Sequence, residues 1–350
     1  MAPFGLITIA EFYEKVNEPE VYIKGEFVKL LKEPVYTIGW DGEAKPARIV
    51  AVHKIPYKGK VVEVEAESAR FLTSGDHLFL VYEPRYNRYR YVKARDLSKY
   101  NYGLAIPDTI VSLPFKQTID ENLAYLAGLF IADGVWSKSA ILFCLHKDEA
   151  PIIVEYLKKL GYNCSIKSEK RPTNGRTIPT YGLISTFKKI FKDRNKNHIP
   201  KELLKQPANV LLALGAGIID GDGHFDKDRA RIRISTTSEK LAHQLVYLFS
   251  VFGWNPHLTS QPPAGKGKHT VYQISIYGES YLRAIKALTP YLKLKKIKHL
   301  ETRRKYHYIH IKSIKEFYYD GFLYDLTTET GNYLAGKNGM AFTRNARVLF

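Results

Sequence analysis

Hydrophobic and polar positions alternate with two different periods along the chain, and the changes of period divide it into three stretches. Residues 1 to about 115 carry short β-branched and aromatic runs, VYTIGW, KVVEVEAE and HLFLVY among them, separated by turn residues. That texture predicts a β-rich unit of short strands. From 116 to about 305, helical periodicity interleaves with strand alternation, and the same succession occurs twice, over about 116–205 and 206–305. From about 306 to 350 the short-strand texture returns, most clearly in FLYDLTTETGNYLAG. A central insert between two halves of one β domain accounts for this symmetry better than three independent domains do.

The first copy of the repeat opens at Asp120 and runs through NLAYLAGLFIADG to Gly134. The second opens near Asn209 and runs through VLLALGAGIIDGDG to Gly223. Asp and Asn are both helix-capping types, and both stretches are predicted helices. A short strand, a longer strand and an amphipathic helix follow each: AILFCLH from Ala140 and a helix over 151–160 in one, RARIRIST from Arg229 and a helix over 239–252 in the other. Hairpins come next, turning at Asn174-Gly175 and in the glycine-rich PPAGKGK from Pro262, and a last helix closes each copy. The expected fold class is therefore α+β: two tandem αββαββα units in one pseudo-symmetric domain, inserted in an all-β domain.

Charge narrows the partner. Lys and Arg number 53 against 35 Asp and Glu, a net charge of +18. A polyanion, most often nucleic acid, is the natural partner for such an excess, although the lysine-rich surface of a thermophile protein would give the same count. The longest apolar stretch, around 210–219, is about half of a membrane span, and no charged-then-apolar leader opens the sequence. The expectation is an intracellular, cytoplasmic protein. Two cysteines, Cys144 and Cys164, offer neither a disulfide framework nor paired metal-ligand spacing.

The chemistry concentrates at two helix ends. Asp133 and Asp222 each stand in the last turn of an apolar helix, directly before a glycine stop at Gly134 or Gly223. A carboxylate there faces the negative end of the helix dipole, at a cost of about 0.3 to 1 kcal/mol. Gly128 and Gly217 lie five residues before each aspartate, where a missing side chain lets two helices pack closely. Side-by-side packing would bring both carboxylates to one end, an arrangement that a divalent cation would stabilise. Hard oxygen ligands with open water positions suit Mg²⁺. An apolar helix ending in Asp-Gly is also an ordinary way to stop; its recurrence in both copies is what argues for a site.

LAGLFIADG (126–134) and GAGIIDGDG (215–223) resemble the two signature helices of the LAGLIDADG homing endonucleases, over about residues 116–305. The first departs at Phe130 and Ile131, the second at Gly215, Ile218 and Gly221. The resemblance implies a monomer with a pseudo-twofold axis and a saddle of two sheets over double-stranded DNA. Both strands of a long target site would be cut across the minor groove, with Mg²⁺ as cofactor and Mn²⁺ able to replace it. Asp133 and Asp222 would hold the metals, with the backbone carbonyls of Ala132 and Gly221. Lys295 matches the active-site lysine of the second half. In the first half that lysine should stand two residues before Ile199, where this chain has Asn197 with Lys196 beside it.

DNA contacts are expected from strands with basic residues on one face. Arg229, Arg231 and Arg233 alternate with Ala230, Ile232 and Ile234, which suits guanine or phosphate recognition or, equally, a charged edge strand. The hairpins offer Lys167, Lys170, Arg171 and Arg176 in the first copy and Lys266, Lys268 and His269 in the second. RYNRYRYVK adds Arg88 and Arg90.

The outer stretches resemble the Hint domain of protein-splicing inteins. FLTSGDHLFLVY carries His77, FLYDLTTETGNYLAG carries Asp325, and KNGMAFTRN runs to Asn345. The match falters on chemistry. The sequence opens MAPFGLITIAEF without a cysteine or serine at its head, Arg344 replaces the histidine before Asn345, and Ala346 follows it. The Hint-like part is therefore expected to be a splicing-deficient scaffold, natural or deliberately inactivated. Two other functions stay open: an intein whose splicing has been lost, and an intron RNA maturase built on the same fold.

Overall fold

The computed structural model describes residues 7–168, 175–226, 229–263, 268–295 and 308–344. The chain divides into two compact units. One comprises residues 1–114, 245–259 and 303–350, and the other residues 115–244 and 260–302.

The first unit is β-rich. Its frame is a pair of long antiparallel strands, Ala44–Ala66 and Tyr308–Thr328, paired from Ile311 opposite Ala66 to Thr328 opposite Ile49 with a register shift near each end. Alternating positions of these strands supply Val62, Val64, Ile309 and Ile311 to one core, with Phe79, Val81 and Leu104. Ile49, Val52 and Leu326 join a second core with Phe12 and Tyr13, two apolar residues of the short helix Ile9–Lys15. Thr8 starts that helix through a capping box with Glu11. Residues 245–259 group with this unit, to which they are tied by the Val111 N–H donated to Val251 O and the Ser68 hydroxyl donated to Asn255 Oδ1; within them Trp254 packs against Phe249 and Phe252.

The repeat runs as αββαββα twice through the second unit, except for residues 245–259, which group with the first. The first copy runs through the helix Glu121–Asp133, the strands Gly134–Trp136 and Ile141–His146, the helix Ala150–Lys159, a strand in two short pieces (Asn163–Cys164 and Lys167–Ser168), the strand Gly175–Tyr181 and the helix Leu183–Ile190. The second runs through the helix Ala208–Asp222, the strands Gly223–Asp226 and Arg231–Thr236, and the helix Glu239–Val251. The strands His257–Gln261 and Val271–Tyr277 and the helix Glu279–Leu288 complete it. The fold is thus α+β, as the periodicity predicts. Asp120 caps the first motif helix by accepting from Leu123 N–H. The second begins differently. Pro207 is its N-cap and Asn209 lies inside the helix, its side-chain amide donating to Glu121 Oε1 at 2.6 Å. A proline there gives up no hydrogen bond, since the first helical amides have no intrahelical acceptor. The Asn174-Gly175 turn and the centre of PPAGKGK fall outside the described residues, at Asn174 and 264–267. Neither cysteine is in a disulfide, and among the described residues no helix is long and apolar enough to cross a membrane.

Candidate metal centre and nucleic-acid interface

The two motif helices are buried all round because each packs against the other and against its own sheet. Their separation is set by glycine. A Cβ on Gly128 would sit 2.1 Å from Leu214 O, and one on Gly217 would sit 2.0 Å from Tyr125 O. The backbones therefore touch at two symmetric points. Gly221 repeats the device one turn further on, where a Cβ would meet Ala132 Cβ at 2.4 Å and Asp133 Oδ2 at 3.0 Å. Gly134 and Gly223 end the helices, but not as left-handed stops. Their φ values are −90° and −75°, and the chain passes straight into a strand. Glycine is needed there for room, because a Cβ would lie 2.4 Å from Phe130 O or Ile219 O.

This packing brings Asp133 and Asp222 into one another's field. Burial raises the Asp133 pKa to about 6, and the Asp222 charge pushes the same way, against Lys196 and Lys295. Asp222 reaches solvent at its helix end, yet desolvation still raises its pKa, opposed by the same two lysines. The helix ends are capped by these ammonium groups. Lys196 Nζ donates to Ala132 O at 3.0 Å. Lys295 Nζ donates to Ile219 O at 2.8 Å and Gly223 O at 2.5 Å, with Gly221 O at 3.4 Å. Each cation offsets the negative helix end on which an aspartate sits. Burial lowers the Lys295 pKa against the pull of Asp220, Glu149 and both site aspartates. Ala132 and Gly221, the two carbonyls expected to bind metal, thus each already accept from a lysine, which leaves one lone pair apiece.

The donor set fits a hard divalent cation. It is oxygen-only, and it contains two acids held together at an energetic cost that a cation would remove. Among the described residues no cluster of three or more acidic, histidine or cysteine side chains surrounds it. Water and a phosphate would complete the shell, which is how Mg²⁺ is usually held.

One residue with a structural part in the site was missed from sequence. Asp220 is almost wholly buried beside the motif aspartate. It accepts from Tyr125 Oη at 2.8 Å and from the N–H groups of Lys293, Leu294 and Lys295 at 2.7, 3.1 and 3.1 Å. The carboxylate thereby pins the loop from which Lys295 reaches the helix end. Its counterpart in the first copy is Ile131, so the repeat comparison masked it. A lone acid inside an otherwise apolar helix was the available signal.

The sheets sort the basic residues. In the second copy, Ile232 and Ile234 face the core, and Arg231 and Arg233 lie on the open face opposite Asp226 and His224. Arg231 is held by Asp226 at 3.0 Å; Arg229, in the preceding turn, is largely exposed. In the first copy Lys167 registers with Thr177 on the open face. Arg176 registers with buried Leu145 instead, so strand alternation puts it on the core side of the sheet's end. Lys268 and His269 are described but belong to no strand, and Lys170, Arg171 and Lys266 lie outside the described residues. In the β-rich unit Arg88 and Arg90 both bond the buried Glu83, at 2.6 and 2.9 Å, which neutralises part of their charge.

That unit has a cavity of its own, about 150 Å³, lined by His77, Asp325, Thr343, Ser74 and Tyr333 among others. His77 Nε2 hydrogen-bonds Thr343 Oγ1, and its Nδ1 lies 3.8 Å from Asp325 Oδ2. Burial lowers the His77 pKa to about 4 and raises that of Asp325 to about 7. Tyr333 Oη donates to Asp325 Oδ1 at 2.6 Å. Asn345 lies outside the described residues.

Comparison with known proteins bears on the second copy of the repeat. Residues 209–289 match the model of a LAGLIDADG-like domain. The chain is 26% identical over 251 residues to a subunit of the A-type ATP synthase of Pyrococcus abyssi, a match covering 68% of this chain and 23% of that protein. It is also 26% identical over 226 residues to the ATP-dependent DNA helicase Hel308 of Thermococcus kodakarensis, covering 59% of this chain and 20% of the helicase. The chain thus spans about a fifth of the length of these relatives. Among solved structures, mesophilic variants of the homing endonuclease I-DmoI align at 18% identity with a TM-score of 0.36, over 48% of this chain and 96% of theirs. The similarity to a LAGLIDADG-like domain thus falls on the second repeat of this chain, from its first helix to its last.

Proposed function

We propose that the chain is a site-specific endonuclease of double-stranded DNA of the homing type, acting as a monomer with Mg²⁺, which Mn²⁺ can replace. The observation that carries this reading is the meeting of Asp133 and Asp222 at the foot of a helix pair packed backbone to backbone. Bound there, the metal would orient water and neutralise the leaving oxygen of a phosphodiester. The two aspartates would hold it, and the spare lone pairs of Ala132 and Gly221 would assist. Lys295 and Lys196 would steady the charge that develops on the phosphate, each from a helix end. The open faces of the two sheets would lie along the duplex, with the +18 excess supplying phosphate attraction.

The domain layout follows the same proposal: a nuclease insert over about 116–305 in a β domain formed by 1–115 and 306–350. Similar segments occupy a minor part of an ATP synthase component and of a helicase, proteins of unrelated names, as an inserted element would. One observation favours a second reading for the β-rich unit, a protein-splicing domain: His77 and Asp325 share a cavity with Thr343. Arg344 stands where that reading expects histidine. If Arg344 alone blocks processing, Arg344→His in a chain flanked by suitable nucleophiles gives ligated product.

The test of the nuclease reading is to offer the protein a randomised duplex library and structured RNA, with and without Mg²⁺. Metal-dependent double-strand breaks at one long sequence are expected, with affinity falling about 10³- to 10⁵-fold between 50 and 200 mM salt for 6 to 10 phosphate contacts. Tight RNA binding without DNA cleavage would replace this reading with that of an RNA maturase.

A further inference from the structure

The two sheets are built alike but do not offer DNA the same chemistry. Two residues beyond each motif aspartate, a row of open-face side chains crosses three strands. In the first copy the row is Val135, Leu142 and Pro179: Val135 pairs with Leu142, and Leu142 with Pro179, of which Val135 is exposed, Leu142 half-buried and Pro179 buried. In the second copy the same register gives His224, Arg233 and Ser275. The equivalence is fixed by the chain, since Val135 stands to Asp133 as His224 stands to Asp222, and Gly134 and Gly223 begin the two sheets.

The first row contains no side-chain donor or acceptor, and Val135 is 47% exposed. A base edge laid on it cannot be read by hydrogen bonds. The contact left to it is apolar, and the apolar group that distinguishes one base in the major groove is the thymine C5-methyl. The second row is the reverse. Arg231 and Arg233 each have a buried Nε without a hydrogen-bond partner, but Arg231 is also tied to Asp226 through a terminal nitrogen, and Arg233 faces His224 and Ser275 across the ladder. The half-exposed Arg233 guanidinium, beside a histidine and a serine, suits the two acceptors of guanine, O6 and N7, through its terminal nitrogens.

We infer that, if the chain is the endonuclease proposed above, its target is chemically asymmetric next to the cut. The half facing the first repeat is read there by a thymine methyl through Val135 and Leu142. The half facing the second repeat is read by guanine through Arg233 with His224 and Ser275. These are specificity-determining residues; the row differs between halves although the metal ends match.

The experiment selects bound duplexes from a randomised library using the full chain without added divalent metal, so that binding is read apart from cutting. The expected consensus has thymine at one position and guanine at the dyad-related one. Deoxyuridine, which lacks only the methyl, is then placed at the thymine position with the unaltered protein. It should weaken binding severalfold, and replacing the guanine by adenine should weaken it about 5- to 150-fold. Arg233→Ala should abolish the guanine preference and leave the deoxyuridine effect. Equal affinity for thymine and deoxyuridine, or the same base chosen in both halves, overturns the inference while the endonuclease reading survives. Failure to enrich any duplex overturns both.

Discussion

Gly128→Ala sets two physical effects of opposite sign against one another. Intrinsic propensity alone makes alanine in mid-helix more stable than glycine by about 1 kcal/mol. Packing opposes it. The new methyl would lie 2.1 Å from Leu214 O and 2.9 Å from Ile218 N, against ordinary contacts of 3.4 Å or more. The obstacle is backbone, so no side chain can turn away, and the helices must part by more than about 1 Å along the contact. Overpacking of a tight core costs about 1 to 3 kcal/mol, occasionally more, and rigid neighbours place this case at the upper end. The net expectation is a loss of about 1 to 2 kcal/mol, read as a lower urea midpoint by circular dichroism. Gly217→Ala, whose methyl would meet Tyr125 O at 2.0 Å, should behave alike. The double variant should cost less than the sum, because helices already parted by one methyl accommodate the second. A raised midpoint for either single variant would refute the close-packing argument.

Asp220→Ala removes the acceptor of Tyr125 Oη and of three backbone amides, so binding should persist while cleavage falls sharply; restoration by Asp220→Glu without recovery of the Lys293–Lys295 loop would contradict a positioning role. In the β-rich unit, Asp325 keeps its proton to about pH 7 when folded but releases it near 3.8 when unfolded. Its contribution to stability is therefore lost as pH rises through that window, by about 4 kcal/mol in full. His77, lowered to about 4, acts oppositely, costing stability as pH falls from 6.5 toward 4. Asp325→Asn should leave only the histidine slope, so the variant gains on the parent as pH rises from about 4 to about 7 and loses stability on acidification below 6.5. A stability profile that matches the parent at every pH would count against a protonated Asp325.

Much of this architecture was legible because its signals are periodic. Leu126 to Ile131 and Leu211 to Ile219 are apolar on every face, which marks buried helices, and Ile232 and Ile234 between arginines mark a strand with one dry face. Gly128 and Gly217 announced the close approach. What escaped were features that depend on three-dimensional register. Arg176 reads as a hairpin cation, yet its partner across the ladder is Leu145. Arg88 and Arg90 read as free cations, yet Glu83 on the paired strand collects both. Lys196 does reach Ala132 although its neighbour Asn197 holds the expected place, because the preceding loop turns the lysine toward the helix end. Pro207 rather than Asn209 starts the second helix because a missing N–H costs nothing there.

Cleavage of a selected duplex by Asp133→Asn and Asp222→Asn, measured beside binding of the same duplex in Mg²⁺, tests the central claim most directly. Each substitution keeps the shape of the side chain and removes one of the two charges that would hold the metal. Retained binding with double-strand cutting abolished in both is the result expected. Undiminished cutting by either variant would show that the paired carboxylates are not the seat of the reaction.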